Sequence, residues 1–259
     1  MNQRAANEVY VPASQRVGEA ECRALLDEVG AGLWITGTDG PPSATLLPTL
    51  WRGDRLIAHA SGHNAQFAGL EGPVPCRFVV QGVGAYISPR WYPSIQDPTD
   101  GGAARGRARG RAVGTWDYRQ AQVAGVLTVH RDRERLRHEL GELAHLHDEL
   151  RLADGCPADA ARGPWRTSEA PRDFLEAMLR GVVGLELEVR EVVGRHKLSQ
   201  NRTGADRDGV VEGLTARGRP TDLAVAEAVR TATRCSTRPV SRAPLRRCPD
   251  RPAPWQGRS

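Results

Sequence analysis

Apolar residues recur at helical spacing most clearly in DRERLRHELGELAHLHDELR (132–151), where Leu136, Leu140, Leu143 and Leu150 form a stripe that predicts a long helix. A second helix is predicted at PRDFLEAMLRGVV (171–183), entered through Pro171. A short amphipathic one is predicted at EAECRALLDEV (19–29), with Leu25, Leu26 and Val29 on one face and Gly30 and Gly32 as the stop. Between these the pattern is β in character. LWITGT (33–38), SATLLPTLW (43–51) and RLIAHAS (55–61) follow one another across short turns and predict an antiparallel meander. NAQFAGLEG (64–72) predicts one or two helical turns. CRFVVQGVGAYIS (76–88) reads as a long strand, with Gly82 and Gly84 marking a bulge or a close backbone approach. TWDYRQAQVAGVLTV (115–129) returns to strand. GLELEVREVV (184–193) alternates as a half-buried strand, with Leu185, Leu187 and Val189 on one side. Short helices are predicted around 206–214 and 221–230.

About six β segments with helices appended late predict an α+β chain, a small β-barrel plus helices. Strands and helices do not alternate regularly, so a Rossmann sheet is disfavoured. No G-x-G-x-x-G or Walker A run opens a helix, which removes the usual dinucleotide and nucleotide sites.

Composition adds bounds. With 259 residues and 39% hydrophobic content the chain can build a core. It has no run of 18 apolar residues that would predict a membrane span. The start, MNQRAANEVYVP, lacks an apolar signal region, so a cytoplasmic protein is expected, its five cysteines reduced and without a CxxC pair. The net charge of +5 and the isoelectric point of about 9.2 are unevenly distributed. Residues 231–259 hold seven arginines and a single acid, Asp250, and without them the chain nets −1. Four more arginines lie in AARGRARGR (103–111), inside a Pro-, Gly- and Arg-rich connection (89–114). The basicity therefore belongs to two low-complexity segments, and a folded DNA-binding surface does not follow from it. The division expected is a flexible start (1–8), one folded domain (9–230) and a disordered Arg/Pro-rich tail (231–259).

Candidate chemistry gathers in three places. YISPRWYPS (86–94) places Tyr86, Trp91 and Tyr92 around Ser88, and TWDY (115–118) adds Trp116 and Tyr118. Aromatics grouped with hydroxyls suit a planar heteroaromatic ligand, and equally suit a barrel core or a dimer contact. HKLSQNR (196–202) carries Lys197, Gln200, Asn201 and Arg202, which can hold a phosphate or form a solvated turn. His138, Glu142 and His145 share a helix face. The leucine stripe already accounts for that helix and no second ligand segment is visible, so no metal site is expected. No catalytic triad is readable.

Taken together, YVP (10–12), SATLLP (43–48), HASGHN (59–64), YISPRWY (86–92), TWDY (115–118) and KLSQNR (197–202) resemble the PaiB family of FMN-binding negative transcriptional regulators, from about residue 9 to 230. The resemblance implies a pyridoxamine-phosphate-oxidase-like split β-barrel that binds FMN at the interface of a homodimer, with a role in repressing genes. It implies Tyr86, Ser88, Trp91, Tyr92, Thr115, Trp116, Asn64, Lys197, Gln200 and Arg202 as cofactor-binding residues, with Lys197, Arg202 and Ser88 on the phosphate. The chain departs from the family pattern at Leu46 (usually His), Gly62 (usually Arg), Ala65 (usually Pro), Gly114 (usually Pro) and Asp117 (usually Asn). Two alternatives stay open: a flavin- or deazaflavin-dependent oxidoreductase on the same barrel, and a barrel that serves only as a scaffold. No helix-turn-helix with a basic recognition helix is readable. DNA binding, if any, is expected to be indirect, or non-specific through the tail with help from 103–111.

Overall fold

The computed structural model describes residues 9–37, 40–96, 112–153, 155 and 163–235. The start at 1–8, the arginine run 103–111 and the tail from 236 onward, on which three expectations fell, lie outside the described residues.

Eight antiparallel strands form one curled sheet: β1 (Arg16–Val17), β2 (Ala31–Thr36), β3 (Ser43–Pro48), β4 (Leu50–Arg52), β5 (Arg55–Ser61), β6 (Val74–Ile87), β7 (Thr115–His130) and β8 (Val182–Lys197). Their order is β3-β2-β6-β7-β8-β5-β4, with β1 added on β8. The expected early meander is corrected here. SATLLPTLW is not one strand but two, and Thr49 alone links β3 to β4, although these strands stand at opposite ends of the sheet order. A single residue can span two sheet edges only if the edges are adjacent, so the sheet has rolled up into a barrel. Thr49 is buried at the seam. Its Oγ1 accepts a hydrogen bond from Trp34 Nε1 at 3.0 Å and donates to the Leu47 carbonyl at 2.9 Å. In the sequence the crossing is hidden because apolar residues run on either side of Pro48 and Thr49.

Strand alternation fills the barrel with Trp34, Phe78, Val80, Val123, Leu127, Leu185 and Leu187. Helix α1 (Glu19–Val29) adds Cys22, Leu25 and Leu26 to this core. It ends at Gly30, whose φ of 75° is the left-handed cap conformation that glycine adopts without steric cost. Val29, expected on the buried face, is 38% exposed at the helix end. The one-turn helix α2 (Ala65–Ala68) buries Phe67.

The expected irregularity in the long strand is a bulge. Between Gln81 and Gly84 the β6–β7 register shifts, so that Gly82 and Val83 face one residue, Arg119. Past this bulge, β6 to β8 extend beyond the barrel and meet a second core. It is made by Ala85, Ile87, Tyr92 and Leu198 together with Val210 and Leu214 of α6 (Gly204–Arg217) and Val225, Ala226 and Val229 of α7 (Pro220–Cys235). Helix α7 continues past the boundary expected at 230. Helix α3 (Pro93–Gln96) completes the link after β6.

Helix α4 (Arg133–Ala153) lies against the β4–β5 hairpin, with Leu143 packed on Leu50 and Ile57. Along its length His138 approaches Glu142 at 3.8 Å and His145 approaches Glu149 at 3.2 Å. Helix α5 (Arg172–Arg180) leads directly into β8. β8 also runs longer than its alternating pattern, through the polar GRHK, because β7 and β1 supply hydrogen-bonding partners as far as Lys197. No helix among the described residues is long and apolar enough to cross a membrane.

Candidate functional site

Antiparallel pairing of β7 with β8 brings TWDY against HKLSQ, segments 80 residues apart in the chain: Tyr118 pairs with Lys197. Lys197 Nζ donates to Thr115 Oγ1 and, at 2.6 Å, to the Trp116 carbonyl. Burial lowers the pKa of its ammonium from the ordinary lysine range. Asp117 opposes that shift, while Arg195 and Arg202 add to it.

Asp117 faces inward and is 1% exposed. Ser199 Oγ donates to its Oδ2 at 2.6 Å. Its Oδ1 is buried without a partner among the described residues. Burial raises the Asp117 pKa, against the pull of the Ser199 hydrogen bond and of Lys197 and Arg202. Ser199 reaches this acid from a left-handed backbone, φ 56°, the one such non-glycine residue among those described. Strain of this kind persists only where the surroundings fix it.

Tyr86 and Trp116 are register partners on β6 and β7, both on the outward face and 42% and 56% exposed. Gly114 lies directly beneath the Tyr86 ring. A Cβ there would fall 2.0 Å from the phenol oxygen, so only glycine lets the ring lie over the incoming chain.

The remaining expected residues are placed differently. Ser88 caps the turn Pro89–Trp91, its Oγ accepting from the Arg90 N–H at 3.3 Å. Trp91 packs on α6, where Cβ atoms at Gly209 and Gly213 would fall 2.0 Å from its carbonyl oxygen and 2.3 Å from its ring. The Arg217 guanidinium stands 5.1 Å from the centre of that ring. Tyr92 is fully buried in the second core, with Arg202 lying 4.2 Å over its ring. Gln200 closes its own turn, accepting from the Leu198 N–H at 2.7 Å and donating to the His196 carbonyl. Asn64 caps α2 by accepting from the Gln66 N–H at 3.0 Å, and donates to Thr45 Oγ1 at 3.1 Å.

The structure thus brings together Thr115, Trp116 and Lys197, with Tyr86 beside Trp116 and with Arg202 over Tyr92. Asn64 belongs to a separate cluster with Thr45 and Gln66. Sequence reasoning noted Asp117 only as a departure from a pattern and gave Ser199 no role. Their pairing depends on a strand register that no local signal encodes. The arrangement offers an outward-facing aromatic pair next to an ammonium group, a donor set that fits a flavin ring and its anionic chain.

Comparison with known proteins agrees with this chemistry. Residues 9–191 match the sequence profile of the family described as "Putative FMN-binding domain", and the chain belongs to that family. FMN is the cofactor for which this domain is described. The chain is 25% identical over 224 residues to the Bacillus subtilis (strain 168) protein named Protease synthase and sporulation protein PAI 2, covering 85% of this chain and 95% of that one. The resemblance to the PaiB family seen in the motifs is borne out. An uncharacterised protein of Aspergillus fumigatus is 26% identical over 151 residues, 56% of this chain, and the match spans about half of that relative's length, 53%. Among solved structures, an FAD- and heme-binding protein from Mycobacterium smegmatis is similar at 17% identity with a TM-score of 0.49, covering 80% of each chain. The split β-barrel expected from the motifs is the fold observed.

Proposed function

We propose that this protein is a flavin-binding regulatory or redox-sensing homodimer, with FMN held against the outward face of β6 and β7. The observation that carries the reading is the exposed apolar face on which Tyr86 and Trp116 lie. Leu33 and Leu46, register partners on β2 and β3, are 40% and 65% exposed on the same outward side of the sheet. Single exposed apolar side chains are common, but two register pairs of them on one sheet face point to an interaction surface. A second copy of the chain laid on this face would cover both the leucines and one side of a bound ring.

In this reading Lys197 meets the anionic end of the cofactor, giving up its present bonds to Thr115 and the Trp116 carbonyl. Bound FMN supplies one- and two-electron redox chemistry, and the protein supplies the binding and the electrostatics. The regulatory part of the reading draws on the Bacillus relative, whose name ties that protein to protease synthesis and sporulation.

The test is flavin titration of the purified full chain, followed by absorbance and flavin fluorescence, with light scattering for mass. FMN binding by a dimer is expected. Lys197→Ala is expected to weaken FMN by about tenfold or more, the loss of one charge-assisted contact of roughly 1.5–3 kcal/mol. A monomer with unchanged FMN affinity in that variant would overturn the arrangement.

A further inference from the structure

At the opposite end of the sheet, where β5 gives way to α2 and α5 gives way to β8, the surface opens into a cleft of about 310 Å³. This volume is at the small end of the range of ligand pockets. Gly62, His63, Arg131, Arg133, Arg180 and Gly181 line it, and no acidic side chain does. The walls are tied together: the Gly62 N–H donates to the Gly181 carbonyl at 2.8 Å, and Arg131 Nη2 donates to the Ala68 carbonyl at 3.3 Å.

Three arginines line this one cleft. Other arginines of the molecule meet carboxylates, as Arg23 does with Glu19, Arg119 with Glu28, Arg135 with Glu139 and Arg217 with Asp222, or neutral partners, as Arg77 does with Gln122 and Arg195 with Gln15. Arg131, Arg133 and Arg180 form no ion pair with a carboxylate among the described residues. The acids beside them in sequence, Asp132 and Glu134, do not line the cleft, and Asp132 is engaged elsewhere, its Oδ1 accepting from the N–H groups of Glu134 and Arg135 at 3.0 and 3.1 Å. It caps the first turn of α4, whose positive dipole end adds to the potential of the cleft. Like charges held together without a counter-ion attract an anion, and planar guanidiniums match the geometry of a phosphate.

We infer that this cleft is a phosphate-binding site, taking the terminal phosphate monoester of a small molecule on Arg131, Arg133 and Arg180. Two sources share that chemistry: the phosphate of FMN itself, and a separate phosphorylated metabolite. The site goes beyond the flavin arrangement proposed above, in which Lys197 meets the anionic end.

The experiment titrates the full chain with inorganic phosphate, followed by phosphorus NMR, and compares Arg131→Gln/Arg180→Gln and Arg133→Gln with the parent. Saturable binding by the parent is expected, weakened at least tenfold in the double variant. Thermal melting is expected to be unchanged, because all three side chains are exposed. Parallel titrations with FMN and riboflavin separate the sources. Loss of FMN affinity with riboflavin retained assigns the site to the cofactor's phosphate. Loss of phosphate binding with both flavins unaffected assigns it to a separate ligand. If the parent binds neither flavin, the flavin reading fails while the phosphate titration still decides this one. Absence of saturable phosphate binding in the parent, or equal binding in parent and variants, overturns the inference.

Discussion

Among the described residues, the two larger hydrophobic cores, one inside the barrel and one under α6 and α7, are made differently. The barrel core is the product of alternation: inward residues of β2, β5, β6, β7 and β8 are aliphatic or aromatic, with Trp34 and Phe78 in an edge-to-face contact at 5.7 Å. The second core draws on the motif residues. Tyr92 lies within it and Trp91 packs against it, while Asp117 on β7 and Ser199, just past the end of β8, pair in a buried contact beneath. Residues that look like ligand chemistry in a linear reading can therefore be the packing that attaches α6 and α7 to the barrel. Clustering of aromatics in sequence reports importance without saying whether it is for binding or for docking.

The largest effect that would break this comparison is expected in the barrel. Phe78→Ala should cost about 3–5 kcal/mol in urea unfolding, because a fully buried aromatic leaves a cavity that strands on both sides cannot fill. Next comes the docking of α6. Gly213→Ala places a methyl against the Trp91 ring and should cost about 1–3 kcal/mol, with a change in tryptophan fluorescence that Phe78→Ala does not produce at the same site.

Smaller effects separate two of the buried acids associated with the second core, Asp117 and Asp222, which carry opposite pH signatures. Hydrogen bonds from Arg217 and then Arg219 hold the Asp222 carboxyl well below the usual carboxylate range. Its contribution is fully present above an unfolded pKa of about 3.9 and is lost as pH falls through the folded value. Burial raises Asp117 instead, so its contribution is present below about 3.9 and is lost as pH rises through its folded value. Asp117→Asn should flatten the stability profile on the neutral side and Asp222→Asn on the acid side, as read by urea midpoints across pH. An identical profile for both variants would show that the two acids share one environment. The smallest effect is expected of Tyr92→Phe, within about 1 kcal/mol, because the phenol oxygen is buried without a partner among the described residues. A marked loss of FMN affinity in that variant would move Tyr92 from packing to the cofactor.

Most elements were legible in the sequence because each carries a local signal. The leucines of α4, the glycines of the β6 bulge and Pro171 before α5 mark their own structures. What stayed hidden depends on tertiary register. The jump at Thr49 leaves no local trace, and the polar extension of β8 is strand only because neighbouring strands offer it partners. The site divides in the same way. Lys197, Thr115 and Trp116, expected together, do meet. The roles of Ser88 and Gln200 as turn caps follow from backbone geometry, and the arginine cleft is assembled from three separate chain segments whose charges look ordinary one at a time.

The pairing of β5 with β8 has a consequence for how the chain is made. Ser61 finds its partner at Val182, about 120 residues later. During synthesis the hydrogen-bonding edge of β5 therefore leaves the ribosome long before anything can cover it. Such long-range closure slows folding and exposes a strand edge that other chains can pair with. A ribosome stalled before β8 emerges would hold an open sheet rather than a barrel, and a nascent chain of this protein is expected to engage chaperones until that last strand arrives.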